Sequence, residues 1–166
     1  MDKLFSLKGN FQVVRLSEVD ARACTDHLNK LRELILENEP MYPDIHKWFD
    51  EKVVPGLKAS ERVGYVGYLD EKPSVSAVVK RGEDAKFCHL RIKKDLQDIH
   101  LGEAFFTLMG LDIRGLAKEI HFTLPESVWE KEKGFFKSFG FVDAIKAGHQ
   151  YRLFEDELRC STDFGN

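Results

Sequence analysis

The run Lys86-Phe87-Cys88-His89-Leu90-Arg91-Ile92, then Lys93-Lys94-Asp95-Leu96, then Gln97-Asp98-Ile99-His100-Leu101-Gly102, holds the change of period that decides the fold. Its first seven residues read as a strand. From Leu101 to Ala117 the apolar residues Leu101, Phe105, Leu108, Leu111 and Leu116 fall near one helical face. A strand therefore runs through a short loop into the N-terminus of a helix. That arrangement exposes unpaired amides at the loop's end, and the helix dipole favours negative charge there.

Upstream, Val63–Leu69 and Val75–Lys80 have strand character, separated by the turn Asp70-Glu71-Lys72-Pro73. A second turn, Arg81-Gly82-Glu83-Asp84, leads into the Lys86–Ile92 strand, so the three form an antiparallel meander. Before them come a short strand over Phe11–Arg15 and a helix from Val19 to Leu36. Ser17 can cap that helix, and Cys24, Leu28, Leu31 and Ile35 set its spacing. Pro40 and Pro43 stop it, and an aromatic helix over Asp44–Val54 ends at Pro55-Gly56. Downstream, Glu119–Leu124 reads as a strand and Ser127–Glu130 as a capping box opening a helix to Ser138. Gly140-Phe141 ends it, and strands follow at Phe141–Lys146 and His149–Phe154.

The order β-α-α-β-β-β-α-β-α-β-β predicts a mixed α+β domain with an antiparallel start and one parallel crossover. Its boundaries are expected at residues 11–159, with an extension at 1–10 and a fraying tail at 160–166.

Composition narrows the function classes. The chain has 166 residues, enough for one domain with a real core. An apolar fraction of 43% and a charged fraction of 32% are those of a soluble globular protein. A net charge of −3 argues against nucleic acid as partner. The 13 phenylalanines fall inside the strand and helix candidates and mark the core. Cys24, Cys88 and Cys160 show neither disulfide nor zinc spacing, so no metal is expected and a reduced, cytoplasmic setting is. No stretch approaches the roughly 20 apolar residues of a membrane span. No P-loop pattern occurs.

This element order resembles the GCN5-related N-acetyltransferases over nearly the whole chain. The family carries Arg/Gln-x-x-Gly-x-Gly/Ala shortly past its fourth strand, at the start of its third helix. Gln97 and Gly102 match that pattern, with His100 in place of the central glycine. The run Phe135-Phe136-Lys137-Ser138-Phe139-Gly140-Phe141 is similar to the family's fourth-helix ending. The resemblance implies a twisted, mostly antiparallel sheet of six to seven strands flanked by about four helices. It also implies acetyl-CoA as co-substrate, a primary amine (small molecule or protein) as acceptor, and allows a homodimer. The pyrophosphate would meet Gln97, Asp98, Ile99, His100, Leu101, Gly102 and Glu103, with Lys93 and Lys94 adding charge. The pantetheine arm would follow the backbone at Leu90 and Ile92.

The family's catalytic side chains are missing. Phe136 stands where many members have a tyrosine acid, Trp129 where an asparagine often stands, and Lys86 where histone-type members carry a glutamate base. His89, on the key strand, is the nearest titratable candidate. Strand alternation sends Cys88 to the opposite face from His89, which excludes a nucleophilic pair. Tyr65, Tyr68 or Tyr151 could supply a proton to the thiolate. The stretch Glu37–Asp44, continuing to Trp48, could attract and seat a cationic amine. Without these groups the alternative is a non-catalytic acyl-CoA-binding or protein-interaction module.

Overall fold

Val63, Tyr65, Val75, Ala77 and Val79 are all but inaccessible to solvent, while Arg62 and Lys80 mark the strand ends. With Val66, Ser76 and Val78 buried on the other face, β2 (Arg62–Leu69) and β3 (Lys72–Lys80) form a tight hairpin covered on both sides. Asp70 and Glu71 both have positive φ (49° and 65°), the geometry whose twist matches a two-residue hairpin. The carboxylate of Asp70 also accepts the backbone N–H of Asn10 at 2.9 Å. The computed structural model describes residues 9–17, 25–97, 100–142, 144–148 and 157–163.

The other strands are β1 (Phe11–Leu16), β4 (Asp84–Ile92), β5 (Glu119–Pro125), β6 (Ala144–Gly148) and β7 (Glu157–Asp163). They form one seven-stranded sheet in the order β1-β2-β3-β4-β5-β7-β6. Every neighbouring pair is antiparallel except β4 and β5. The expected mixed α+β architecture, with its meander and single parallel crossover, is what the chain adopts.

Each face of the sheet has its own core. On one, Phe105, Phe106, Met109 and Ile113 of α4 (Leu101–Ile113) and Trp129 of α5 (Glu126–Ser138) cover Ala77, Phe87, Ile120 and Phe122. On the other, Leu31, Leu34 and Ile35 of α1 (Thr25–Leu36) lie on Leu16, Val66 and Val78. They are joined by Ile45 of α2 (Ile45–Trp48), Phe49 and Val53 of the π-helical turn Phe49–Val53, and Leu57 of α3 (Val54–Lys58). Close approach there depends on Gly64, where a Cβ would sit 2.8 Å from Leu31 Cδ2.

Several boundaries differ from expectation. The aromatic helix passes Pro55 and ends at Lys58, because the proline occupies the first turn of α3, where no N–H is needed. α4 stops at Ile113, and Gly115 follows at φ 79°. Its buried stripe is Leu101, Phe105, Phe106, Met109 and Ile113, whereas Leu111 and Leu116 are exposed. A spacing of four residues turned the stripe away from the leucines. α5 opens at Glu126 on Pro125, so Ser127 sits inside the first turn rather than at the cap. Phe141 precedes β6 and is buried among aromatic rings. The sheet continues past Arg159 through Asp163, paired with β5, so residues 160–163 belong to the domain and not to a tail. The strand expected at His149–Phe154, and Cys24, lie outside the described residues.

Candidate active site

β4 and β5 pair over Asp84–Lys86 and Glu119–His121. Past that point no pairing joins the two strands among the described residues, although both continue. The β5-facing backbone groups of Phe87–Ile92 therefore lack a sheet partner and are available to a ligand. A bulge deepens the irregularity: Val79 faces Phe87 while Val78 faces His89, so Cys88 is the extra residue. Bulges re-aim side chains, and this one puts Cys88 and His89 on the same face. Cys88 packs against the α1-side core, and His89 pairs with Val78 of that same core. The expected alternation fails at this step. The two residues still form no nucleophilic pair, because each is committed elsewhere. Arg62 Nη1 donates to Cys88 Sγ at 2.9 Å, and His89 Nε2 lies 2.8 Å from Ser76 Oγ. Burial raises the Cys88 thiol above its ordinary pKa in spite of Arg62. Burial first, and Arg91 second, lower His89 from 6.5 to about 4, so its ring is neutral at physiological pH.

The end of β4 leads directly to a helix N-terminus. Lys93 is held by its N–H to the carbonyl of Ser74, a 3-10 turn (Lys94–Leu96) buries Leu96, and Gln97 Nε2 donates to the Ile92 carbonyl at 3.1 Å. Gln97 thus closes the loop back on β4. Asp98 and Ile99 lie outside the described residues. His100 caps α4 in the left-handed region at φ 62°, its Nδ1 3.6 Å from Glu103 Oε1. Leu101 is buried and offers only backbone, and Glu103 is exposed. A Cβ on Gly102 would touch the Phe135 ring at 3.5 Å and Ile92 Cδ1 at 3.8 Å. The start of α4, the end of β4 and α5 meet at this glycine. Leu90 and Ile92 pack on the α4 side. Lys93 is half-buried and Lys94 exposed.

The segment after α1 is tied to the same strand end. Arg91 Nη1 lies 3.1 Å from Glu37 Oε2, and Tyr42 and Trp48 pack onto the α1-side core. The stretch read as an acceptor seat therefore borders β4 on the His89 face. Glu37 is partly neutralised by Arg91, and Glu39 lies 3.8 Å from His46.

No protein-family model matches the chain, and no curated protein matches its sequence. Solved structures do match. The ribosomal-protein-S18-alanine N-acetyltransferase from Escherichia coli superposes with a TM-score of 0.68 at 14% identity, covering 95% of this chain and 96% of that one. A GNAT-family acetyltransferase from Desulfovibrio desulfuricans gives 0.68 at 13% identity, covering 94% and 100%. Naa50 of Arabidopsis thaliana, in complex with the bisubstrate analogue CoA-Ac-MVNAL, gives 0.64 at 16% identity over 92% and 99%. This chain has the GNAT acetyltransferase fold.

Within the GNAT fold, His100 is explained by its backbone. The pattern places a glycine there, the left-handed φ is what glycine supplies freely, and histidine adopts it at modest cost. Phe136 lies 5.0 Å from Phe122 between ring centroids and stacks on Trp129 at 6.0 Å and 9°. Phe122 is the first β5 residue past the paired segment, so an aromatic hydrocarbon edge borders the place where β4 and β5 part. Tyr65 donates to the Leu108 carbonyl beneath α4, and Tyr68 is hydrogen-bonded to His27 Nδ1 at 2.7 Å beneath α1. Both phenols are engaged away from the cleft, and Tyr151 lies outside the described residues. Sequence reasoning missed one group. His121, on the last β5 position paired with β4, has Nδ1 3.0 Å from Asp84 Oδ1. The alternation Ile120-His121-Phe122, apolar-polar-apolar on a strand, was the available signal.

Proposed function

We propose that the chain transfers an acetyl group from acetyl-CoA to a primary amine, on a small molecule or a protein. The observation that carries this reading is the parting of β4 from β5, which runs an unpaired strand edge into the N-terminus of α4. An acyl-pantetheine arm can lie along Leu90 and Ile92 as a strand would. The pyrophosphate would meet the first amides of α4, where a helix favours an anion. A strand amide can stabilise the oxyanion, and holding a neutral amine against the thioester supplies much of the rate. His89, neutral and on the Glu37–Trp48 side, is proposed to orient that amine by hydrogen bonding. Naa50 carries a CoA-linked peptide analogue, and the Escherichia coli relative is named for a ribosomal protein alanine, which supports an amine acceptor. A cytoplasmic setting is proposed from the unpaired thiols of Cys88 and Cys160. A homodimer is proposed from the resemblance alone.

CoA or acetyl-CoA is expected to raise the melting temperature by mass action, by about 2.7 kcal/mol of stability at a hundred times its Kd. Scanning fluorimetry and calorimetry check it. No heat and no shift at millimolar CoA would remove the co-substrate.

A second reading, an acyl-CoA-binding module without chemistry, is favoured by one observation, the Phe136–Trp129 stack at the acid's position. Phe136→Tyr separates the two readings. A CoA thiolate resembles a free thiol of pKa about 8.5, so it leaves unprotonated at small cost near neutral pH. The restored phenol is expected to raise kcat at most about a hundredfold, followed by thiol release. A gain of several orders of magnitude would mark the parent as a binding module.

A further inference from the structure

His121 stands where the cleft opens. It lies on the last β5 residue paired with β4, directly across from Lys86. Its neighbours Ile120 and Phe122 point into the α4–α5 core, so His121 points to the opposite face, the one that carries His89. The two histidines thus sit on the two diverging strands, on one side of the sheet. Their surroundings differ. His89 is fastened to Ser76, whereas His121 Nδ1 is buried 3.0 Å from the exposed carboxylate of Asp84 without forming a hydrogen bond, and its Nε2 takes no hydrogen bond among the described residues. Although His121 is only 7% exposed, its neighbour Asp84 is the exposed first residue of β4, and Lys86, Glu119 and Arg159 are the other charged groups around it. An imidazole beside a carboxylate, with neither nitrogen committed to a hydrogen bond, can take up a proton and have the resulting cation stabilised by the neighbouring charge.

Resting on the acetyl-transfer reading above, we propose that His121 is the base that deprotonates the acceptor amine, and that the Asp84 carboxylate stabilises the imidazolium it becomes. In this step His121 Nε2 takes a proton from the acceptor ammonium, directly or through one water, leaving a neutral amine. The amine lone pair forms the C–N bond to the thioester carbonyl carbon, and the C–S bond breaks. The electron pair leaves on sulfur as CoA thiolate. The nitrogen loses its extra proton to solvent, and so does the His121 imidazolium. Burial and Arg159 hold His121 below its ordinary pKa, with Lys86 acting in the same sense, while Asp84 and Glu119 act in the opposite one. The ring is therefore unprotonated near neutral pH and ready to accept.

The test uses the full chain with His121→Gln and Asp84→Asn, beginning with CoA-induced thermal shift and then turnover against pH on an amine found by thiol release. Both variants should keep the CoA shift. His121→Gln should lower kcat by about a hundredfold or more and remove the acid limb of the pH profile. Asp84→Asn, an exposed change that spares folding, should displace that limb to lower pH, because Asp84 raises the His121 pKa. A structural stitch between β4 and β5 would change stability and leave the limb in place. An unchanged kcat and limb in His121→Gln, beside an active parent, would remove this inference alone. A parent that binds CoA but acetylates no amine would remove both readings.

Discussion

Phe106→Ala is expected to cost about 3–5 kcal/mol of stability, the range for deleting a buried phenylalanine. The Phe106 ring is 4.9 Å from Phe87 on β4 and 5.1 Å from both Phe135 and Phe139 on the α5 side, with Phe122 and Phe141 also in contact range. It is 6% exposed and joins α4, α5, β4 and β5 in one aromatic cluster. Neighbouring rings that pack edge-on cannot collapse into the vacated space without losing their own contacts. For a chain of this size the melting temperature should fall by roughly 6–20 °C. The exposed Leu111→Ala on the same helix should change stability by no more than about 0.5 kcal/mol. A loss below about 1 kcal/mol in Phe106→Ala would show that the cluster repacks. Because Phe135 also meets Gly102 at the start of α4, the variant should bind CoA more weakly as well.

That cluster shows which parts of the fold were legible. Phenylalanine enrichment and the Leu101–Phe105 spacing announced an apolar helix on a sheet, and the two close turns announced the meander. The stripe itself differs from the expected one, because four-residue steps place Leu101, Phe105, Met109 and Ile113 inward, with Leu108 at the edge of the core and Leu111 and Leu116 toward solvent. Periodicity cannot separate those choices when nearly every residue on the helix is apolar. β7 was missed for the opposite reason. Glu157-Leu158-Arg159-Cys160-Ser161-Thr162-Asp163 is too polar to read as a strand alone. Its inward residues, Leu158 and Cys160, are buried because β5 and β6 flank them and the α4–α5 core takes them in.

The candidate site was legible where it is made of backbone. The loop from Ile92 to Gly102 was recognised because a helix start after a strand is a local pattern. The bulge at Cys88 was not, since it arises from the register with β3, and no residue in Phe87–His89 signals it. Its consequence is chemical: it brings His89 onto the face where Ser76 and Arg91 reach it. The Asp84–His121 pair was illegible for a similar reason, since residues far apart in sequence meet only through the parallel crossover.

Acidification from pH 7 to 4.5 should destabilise the parent more than His89→Gln, by about 2 kcal/mol, if His89 titrates near 4 when folded and 6.5 when unfolded. The sign follows from proton uptake. A depressed folded pKa means that the unfolded chain binds the proton first, so stability is intact above 6.5 and is lost as pH falls toward 4. Glutamine stays neutral throughout and can keep a hydrogen bond to Ser76, so it removes the titration and spares the contact. The groups facing the ring are Ser76 from β3 and Arg91 from its own strand, and Arg91 is itself paired to Glu37. His121 is also held below its ordinary value and keeps part of the acid loss in both proteins. The difference between the two melting curves, taken at each pH, therefore isolates His89. Parallel curves from pH 7 to 4.5 would place its folded pKa near the unfolded one. The neutral, amine-orienting role proposed for it would then fail at mildly acidic pH, because the ring would carry a proton and repel an ammonium acceptor.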